Sequence, residues 1–86
     1  MNSEELNMER KEIDIKVKEI IRNLLEIEDE IDLGATFFQL GGQSIKASKL
    51  QIEFMSNFKI RISLKDLYKN TIGELEELIY NSVNKN

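Results

Sequence analysis

The residue whose type and position most clearly suggest a chemical role is Ser44, which follows Gly41 and Gly42 and precedes a stretch with helical spacing. A serine in this position lies at the N-terminus of a helix. Free backbone N–H groups and the helix dipole there favour a negatively charged group such as a phosphate. The two glycines keep the approach to the hydroxyl unobstructed, and the apolar residues at 37–40 are expected to anchor the loop. The pattern predicts an exposed serine that receives a group from another enzyme.

The composition argues against Ser44 as the nucleophile of an enzyme. A catalytic serine needs an adjacent base and an oxyanion hole, and the chain contains no histidine and no cysteine. The nearby bases, Lys46 and Lys49, are expected to project from the exposed side of the helix, where they keep their protons. The glycine pair also lacks the GxxxxGK[ST] spacing of a phosphate-binding loop. We therefore expect a protein that is not an enzyme and has no metal site.

Length and charge narrow the class further. The 86 residues are expected to form one domain, and the hydrophobic fraction of 41% and charged fraction of 33% fit a soluble globular protein. The net charge of −4 and the lack of a basic patch argue against nucleic-acid binding. Because the chain shows no signal peptide and no apolar run that could span a membrane, we expect a cytoplasmic protein.

Apolar periodicity predicts an all-α fold. A first helix is expected from about residue 8, with one apolar stripe made of Ile13, Val17, Ile20, Leu24 and Ile27. A second helix is expected from Ser44, as a small polar N-cap, to about Asn57. Capping-box patterns at Ser63 and Thr71 predict a short third helix at 64–69 and a fourth at 72–83, with a stripe of Leu75, Leu78, Ile79 and Val83. The result is a small four-helix bundle, with residues 1–7 disordered and 84–86 frayed.

Two connections complete the predicted bundle. The loop between the first two helices has about 16 residues, and loops of that length are usually functional. Its acidic segment, 26–32, is expected to be solvated, while Ile31 and Leu33 attach it to the core and one short turn buries both Phe37 and Phe38. Residues 58–62 alternate like a strand. Since no other segment could pair with them, we expect an extended connection whose apolar residues fill the core.

The second helix carries two apolar faces when it is wound at about 100° per residue. The core face is made of Ala47, Leu50, Phe54 and Phe58. The opposite side carries a partner-docking strip that starts beside Ser44 and is made of Ile45, Ser48, Lys49, Ile52 and Met55. Isolated surface aliphatic residues are ordinary, but the strip is continuous with the serine. It also contains methionine, which suits surfaces that meet several partners.

The segment 37–45, Phe-Phe-Gln-Leu-Gly-Gly-Gln-Ser-Ile, resembles the FFxLGGxS[LI] signature of carrier proteins. The resemblance is strongest to the peptidyl carrier, or thiolation, domains of nonribosomal peptide synthetases, and it extends over about residues 10–83. It implies that Ser44 is esterified by 4′-phosphopantetheine from coenzyme A and that Gly41, Gly42 and Gln43 form the presenting loop. The thiol of the cofactor would carry aminoacyl or peptidyl groups as thioesters.

The resemblance also implies the partners. They are a phosphopantetheinyl transferase and the adenylation, condensation and thioesterase or tailoring enzymes of a synthetase, and a monomer is expected. Fatty-acid carriers typically have Asp before the modified serine, so Gln43 favours the peptidyl branch, as do Lys46 and Lys49. Family members often have an acidic residue near Thr36, which could alter how the loop is tied, and a glycine near Lys59.

Several alternatives remain open at this point. The chain could be an acyl, polyketide or D-alanyl-type carrier. It could also be an unmodified helical interaction module in which Ser44 is only an N-cap. The start at Met1 and the end soon after the fourth helix fit a free-standing carrier, and a domain cut from a larger synthetase would look much the same. The sequence does not reveal the cargo.

Overall fold

The structure is a computed structural model that describes residues 8–84, so the predicted disorder of residues 1–7 and the fraying of residues 85 and 86 lie outside the described residues. The elements are α1 (Arg10–Leu25), α2 (Ser44–Phe58), α3 (Leu64–Lys69) and α4 (Ile72–Val83). Within residues 8–84 there is no strand, only an isolated bridge between Thr36 and Thr71. The predicted small all-α bundle is confirmed. None of these helices is long and apolar enough to cross a membrane.

Helix α1 begins and ends with local backbone contacts. The Glu12 carboxylate accepts a hydrogen bond of 2.9 Å from the Glu9 backbone N–H, which satisfies one of the donors left free at the helix start. The chain leaves α1 through Glu26, whose φ of 56° is left-handed and whose N–H donates to the Arg22 carbonyl oxygen. Four apolar side chains of α1 are buried: Ile13, Val17, Ile20 and Ile21.

The core lies where α1, α2 and α4 meet, and other segments complete it. Ile31 and Phe37 enter from the long loop, Ile62 from the α2–α3 connection and Leu67 from α3. On α2 the buried side chains are Ala47, Leu50, Phe54 and Phe58, which confirms the predicted core face. A short helix such as α3 gains little from its own backbone bonds, so its position depends on packing through Leu67.

The extended connection predicted for residues 58–62 is confirmed for 60–62, whereas Phe58 still belongs to α2. Lys59 has a left-handed φ of 58° and ends α2, and residues 60–63 then run to α3 without regular structure. Ile62 is buried, and its carbonyl oxygen accepts a 2.7 Å hydrogen bond from the Gln51 side chain. This bond fastens the connection to α2.

Of the two predicted capping boxes, the one at Thr71 is complete, whereas at Ser63 only the bond to the hydroxyl is formed. The Ser63 hydroxyl accepts from the Asp66 N–H at 3.0 Å. Thr71 and Glu74 exchange two bonds, since the Thr71 hydroxyl accepts from the Glu74 N–H and the Glu74 carboxylate accepts from the Thr71 N–H. The predicted stripe of α4 is wrong at Leu78, which is 40% exposed. Instead, the side chain of Glu76, two positions before Leu78, is buried together with the other three residues of the stripe.

A buried pair of carboxyl groups joins α1 to α4. Glu76 is only 6% exposed. Glu76 and Asp14 each have one buried carboxylate oxygen without a protein donor in the described part of the chain. Burial, the hydrogen bond to Asp14 and the charge of Asp14 raise the pKa of Glu76 from 4.5 to about 8, while the charges of Lys18 and Arg10 oppose the rise. Glu76 therefore keeps its proton at neutral pH, which avoids burying a second negative charge beside Asp14.

Candidate functional site

The long loop before α2 is fastened to the start of α4. The Gly73 N–H donates to the Leu33 carbonyl oxygen at 2.9 Å, and the Ile72 N–H donates to the Ala35 carbonyl oxygen at 2.8 Å. Ile31 is buried, as predicted, and Leu33 packs partly against the core. Two of the four N–H groups that a helix start leaves free are used in this way. The loop thus reaches Ser44 from a fixed point on α4.

A single turn at Thr36 follows this attachment. The Thr36 N–H donates to the Gln39 side-chain oxygen at 2.8 Å, and the Gln39 N–H donates to the Thr36 hydroxyl at 3.1 Å. The Leu40 N–H donates to the Thr36 carbonyl oxygen. Thr36 therefore ties the loop through its side-chain hydroxyl. The Thr-x-x-Gln spacing is a capping-box pattern, so the sequence contained a signal for this turn.

The two glycines are required for the shape of the loop. Gly41 has a φ of +109°, which side-chain-bearing residues rarely adopt. A Cβ on Gly42 would lie 2.8 Å from Cζ of the Phe37 ring and closer still to two other ring atoms. The Gly42 N–H donates to the Phe37 carbonyl oxygen at 3.0 Å. Packing against Phe37 thus requires a glycine at position 42, in addition to the open approach to the Ser44 hydroxyl that the sequence suggested.

The two aromatic residues before the glycines have different environments. Phe37 is fully buried, whereas Phe38 is only partly buried, so the expectation that one turn buries both rings holds for Phe37 alone. The two rings meet edge to face at 5.8 Å. Phe38 stacks on Tyr68 of α3, with centroids 4.0 Å apart and planes 3° from parallel. Sequence reasoning missed Tyr68, because no periodicity or motif links positions 38 and 68.

Ser44 is the first residue of α2 and its side chain is exposed. The N-cap is Gln43, with extended φ and ψ of −118° and 176°, and its carbonyl oxygen accepts a 2.7 Å bond from the Ala47 N–H. The prediction that α2 starts at Ser44 is confirmed, but the prediction that its hydroxyl caps the helix is wrong. No side-chain cap bond is formed at this helix start. The hydroxyl is therefore available for another use.

The two lysines near Ser44 differ. Lys49 is exposed, as predicted. Lys46 is half-buried, and its Nζ donates at 2.8 Å to the Leu24 carbonyl oxygen in the last turn of α1. The expectation that Lys46 projects freely from the exposed side is wrong, because the negative end of the α1 dipole draws the ammonium group toward the neighbouring helix. Lys46 thereby connects the start of α2 to the end of α1.

The outer side of α2 carries the predicted apolar strip. Ile45 is 73% exposed, Ile52 66% and Met55 38%, while Ser48 and Lys49 are exposed beside them. Next to the strip lies an open groove of about 570 Å³ between α2 and the α2–α3 connection, lined by Ser48, Gln51, Ile52, Met55, Ser56, Arg61 and Ile62. Large apolar side chains in one connected patch are typical of interaction sites.

Comparison with known proteins gives matches that include this site. Residues 16–79 match the family described as "Phosphopantetheine attachment site". The chain is 37% identical over 71 residues to cyclosporin synthetase of Tolypocladium inflatum; the match covers 81% of this chain and a share of that much longer protein that rounds to 0%. Comparison with solved structures gave no significant match.

Proposed function

Because the chain belongs to the phosphopantetheine attachment-site family, we propose that Ser44 is its attachment residue and that the protein is a peptidyl carrier of nonribosomal peptide synthesis. Members of this family carry 4′-phosphopantetheine covalently. The observation that carries the assignment is the exposed Ser44 hydroxyl at the start of α2, which takes no part in capping the helix. The other serines within residues 16–79 are Ser48, Ser56 and Ser63. Ser48 and Ser56 lie inside α2, and the Ser63 hydroxyl caps α3.

The surroundings of Ser44 fit a phosphate ester. The first turn of α2 contains no acidic residue, and its backbone N–H groups and dipole favour a negative charge. Gly41 and Gly42 present no side chain beside it. The bound group supplies a terminal thiol that holds acyl cargo as a thioester, in a chain that contains no cysteine. The protein contributes the hydroxyl, the loop that presents it and the adjoining surface.

Loading of Ser44 requires a second protein. The Ser44 oxygen forms a bond to phosphorus as the pyrophosphate bond of coenzyme A breaks and adenosine 3′,5′-bisphosphate leaves, and a base must accept the serine proton. The chain contains no histidine, the first turn of α2 contains no carboxylate, and the Lys46 ammonium group is hydrogen-bonded to the Leu24 carbonyl oxygen. A phosphopantetheinyl transferase supplies the base and the coenzyme A site, so the carrier itself is not an enzyme.

The outer face of α2 is the docking surface for these partners. Ile45, Ser48, Lys49, Ile52 and Met55 lie on the same helix as Ser44, so a partner that covers them has the serine at its edge. The partners after loading are adenylation, condensation and thioesterase or tailoring enzymes, and the cargo is aminoacyl or peptidyl. The similarity to a cyclosporin synthetase supports this branch of carriers over acyl, polyketide or D-alanyl types.

A loading assay tests the attachment site. The purified protein is incubated with coenzyme A and a broad-specificity phosphopantetheinyl transferase, and its intact mass is measured. We expect one phosphopantetheine to be added to the wild type and none to Ser44→Ala. Ser48→Ala is the matched control, because Ser48 is exposed one turn further along α2, and it should load normally. An equal gain in Ser44→Ala would refute the assignment.

Charge substitutions test the docking surface. Ile45→Asp and Ile52→Asp should each slow loading by at least about tenfold, because a charge buried against an apolar partner surface costs more than the ~1.4 kcal/mol that a factor of ten requires. Ile15→Asp on α1 is the control, since Ile15 is 56% exposed and far from Ser44 in sequence. Equal slowing in all three variants would show that the effect is not specific to α2.

A further inference from the structure

The aromatic stack between the long loop and α3 lies next to the backbone that holds the glycine pair. The Gly41 N–H donates to the Phe38 carbonyl oxygen at 3.1 Å, and the Gly42 N–H donates to the Phe37 carbonyl oxygen at 3.0 Å. The two residues that accept these bonds are thus the aromatic pair itself. The positions of Phe37 and Phe38 therefore constrain the positions of the two glycines that lead to Ser44.

The two acceptors are secured by different means. Phe37 is fully buried in the core, where close packing fixes its position. Phe38 is only partly buried; its ring meets Phe37 edge to face with centroids 5.8 Å apart and stacks on Tyr68 with centroids 4.0 Å apart. Tyr68 belongs to a six-residue helix and remains 59% exposed. The outer half of the loop is therefore held by a surface aromatic residue outside the core.

We propose that Tyr68 is a positioning residue for Ser44: its stack on Phe38 fixes the carbonyl oxygen that binds Gly41, and so fixes the loop that presents the serine. This inference rests on the proposed role of Ser44. It gives α3 a role in loading, although Ser44 and the proposed docking residues all lie on α2. The contact requires the flat ring of Tyr68 and not its hydroxyl, since parallel planes 3° apart and 4.0 Å between centroids define a ring-to-ring stack.

The consequence for the loop can be measured in the unloaded protein by hydrogen-exchange NMR. Losing an aromatic stack should increase the opening of the loop about threefold to tenfold. In Tyr68→Ala the Gly41 amide should exchange faster by that factor, whereas amides of the α1 core such as Val17 should change less than twofold. Tyr68→Phe keeps the stack and should stay within twofold of the wild type. Leu64→Ala is the matched control, because Leu64 is a 43% exposed residue of the same helix.

Loading kinetics separate positioning from docking. If Tyr68 positions the serine, Tyr68→Ala should lower kcat of the transferase by more than twofold while KM stays within twofold, and Tyr68→Phe should restore kcat. A raised KM with unchanged Gly41 exchange would overturn the proposal and make Tyr68 a docking residue. Equal effects in Leu64→Ala, or faster exchange throughout α1 and α4, would overturn it as well.

A further variant and the independence of the exchange measurement from the cofactor keep the experiment decisive. If Tyr68→Ala does not fold, Tyr68→Leu retains bulk without the ring face and should show the same faster exchange at Gly41. The exchange measurement needs no cofactor, so it decides the role of Tyr68 even if Ser44 is not the attachment site. Failure of the wild type to load would contradict the proposed function alone.

Discussion

The carboxyl pair between α1 and α4 makes a defined prediction about pH. Folded Glu76 holds its proton up to about pH 8, whereas in the unfolded chain it ionises near 4.5. Between these values the folded protein binds more protons than the unfolded protein. The contribution of Glu76 to the free energy of unfolding is therefore complete below pH 4.5 and is lost as the pH rises toward about 8.

The size of this effect follows from the same pKa difference. At about 1.4 kcal/mol per pKa unit, the full loss is up to about 5 kcal/mol. A domain of this size has a total stability of only ~5–15 kcal/mol, so the loss should be visible directly. Glu76→Gln removes the titration and places an amide donor next to the orphaned oxygen of Asp14. We expect the stability of Glu76→Gln relative to the wild type to increase by several kcal/mol between pH 5 and pH 9.

Urea denaturation followed by circular dichroism, at one-unit intervals from pH 5 to pH 9, measures this difference. Glu30→Gln is the matched control, because it removes an exposed carboxylate in the long loop, and its curve should run parallel to that of the wild type. Asp14→Asn should also flatten the pH dependence, since it removes a negative charge that raises the pKa of Glu76. Parallel curves for Glu76→Gln and the wild type would refute a raised pKa of Glu76 in the folded protein.

Four further substitutions test the site and its helix ends by urea denaturation. Gly42→Ala should lower the free energy of unfolding by ~1–3 kcal/mol because its methyl group overlaps the Phe37 ring; an unchanged value would contradict this packing. Lys59→Gly should raise it by up to ~1 kcal/mol, since it relieves a left-handed φ of 58°, and a loss would show that the strain is not present. Ser44→Ala should change it by no more than ~0.5 kcal/mol, whereas Thr71→Ala should cost ~1 kcal/mol. Equal losses in these two would contradict Gln43 as the N-cap of α2.

Local patterns were sufficient for most of the fold. Apolar spacing located α1, α2 and α4, and the cap at Ser63 and the capping box at Thr71 gave the starts of α3 and α4. These features depend on residues three or four positions apart, which interact within one turn of helix. The prediction was wrong where two side chains of one helix could each have faced the core. Leu78 and Glu76 lie on the same helix, and spacing alone did not show that the acid, and not the leucine, faces Asp14.

In the candidate site, too, local features could be predicted from the sequence and long-range contacts could not. The signature around Ser44 and the two faces of α2 could be predicted, because both are contiguous or periodic in the sequence. The Lys46 contact with Leu24 spans 22 positions and the stack of Phe38 on Tyr68 spans 30. Such contacts depend on how the helices are arranged after the core has formed. A single sequence contains no local signal for them.

The sequence by itself determined that Ser44 begins a helix after a glycine-led loop, in a chain that contains neither histidine nor cysteine. Only the tertiary structure decided how that serine is held. Gln43 and not Ser44 caps α2, Gly42 packs against Phe37, and the loop is fixed to α4 and stacked on α3. Residue types and spacing define what a side chain can do, but the contacts that position it form between segments that meet only when the chain folds.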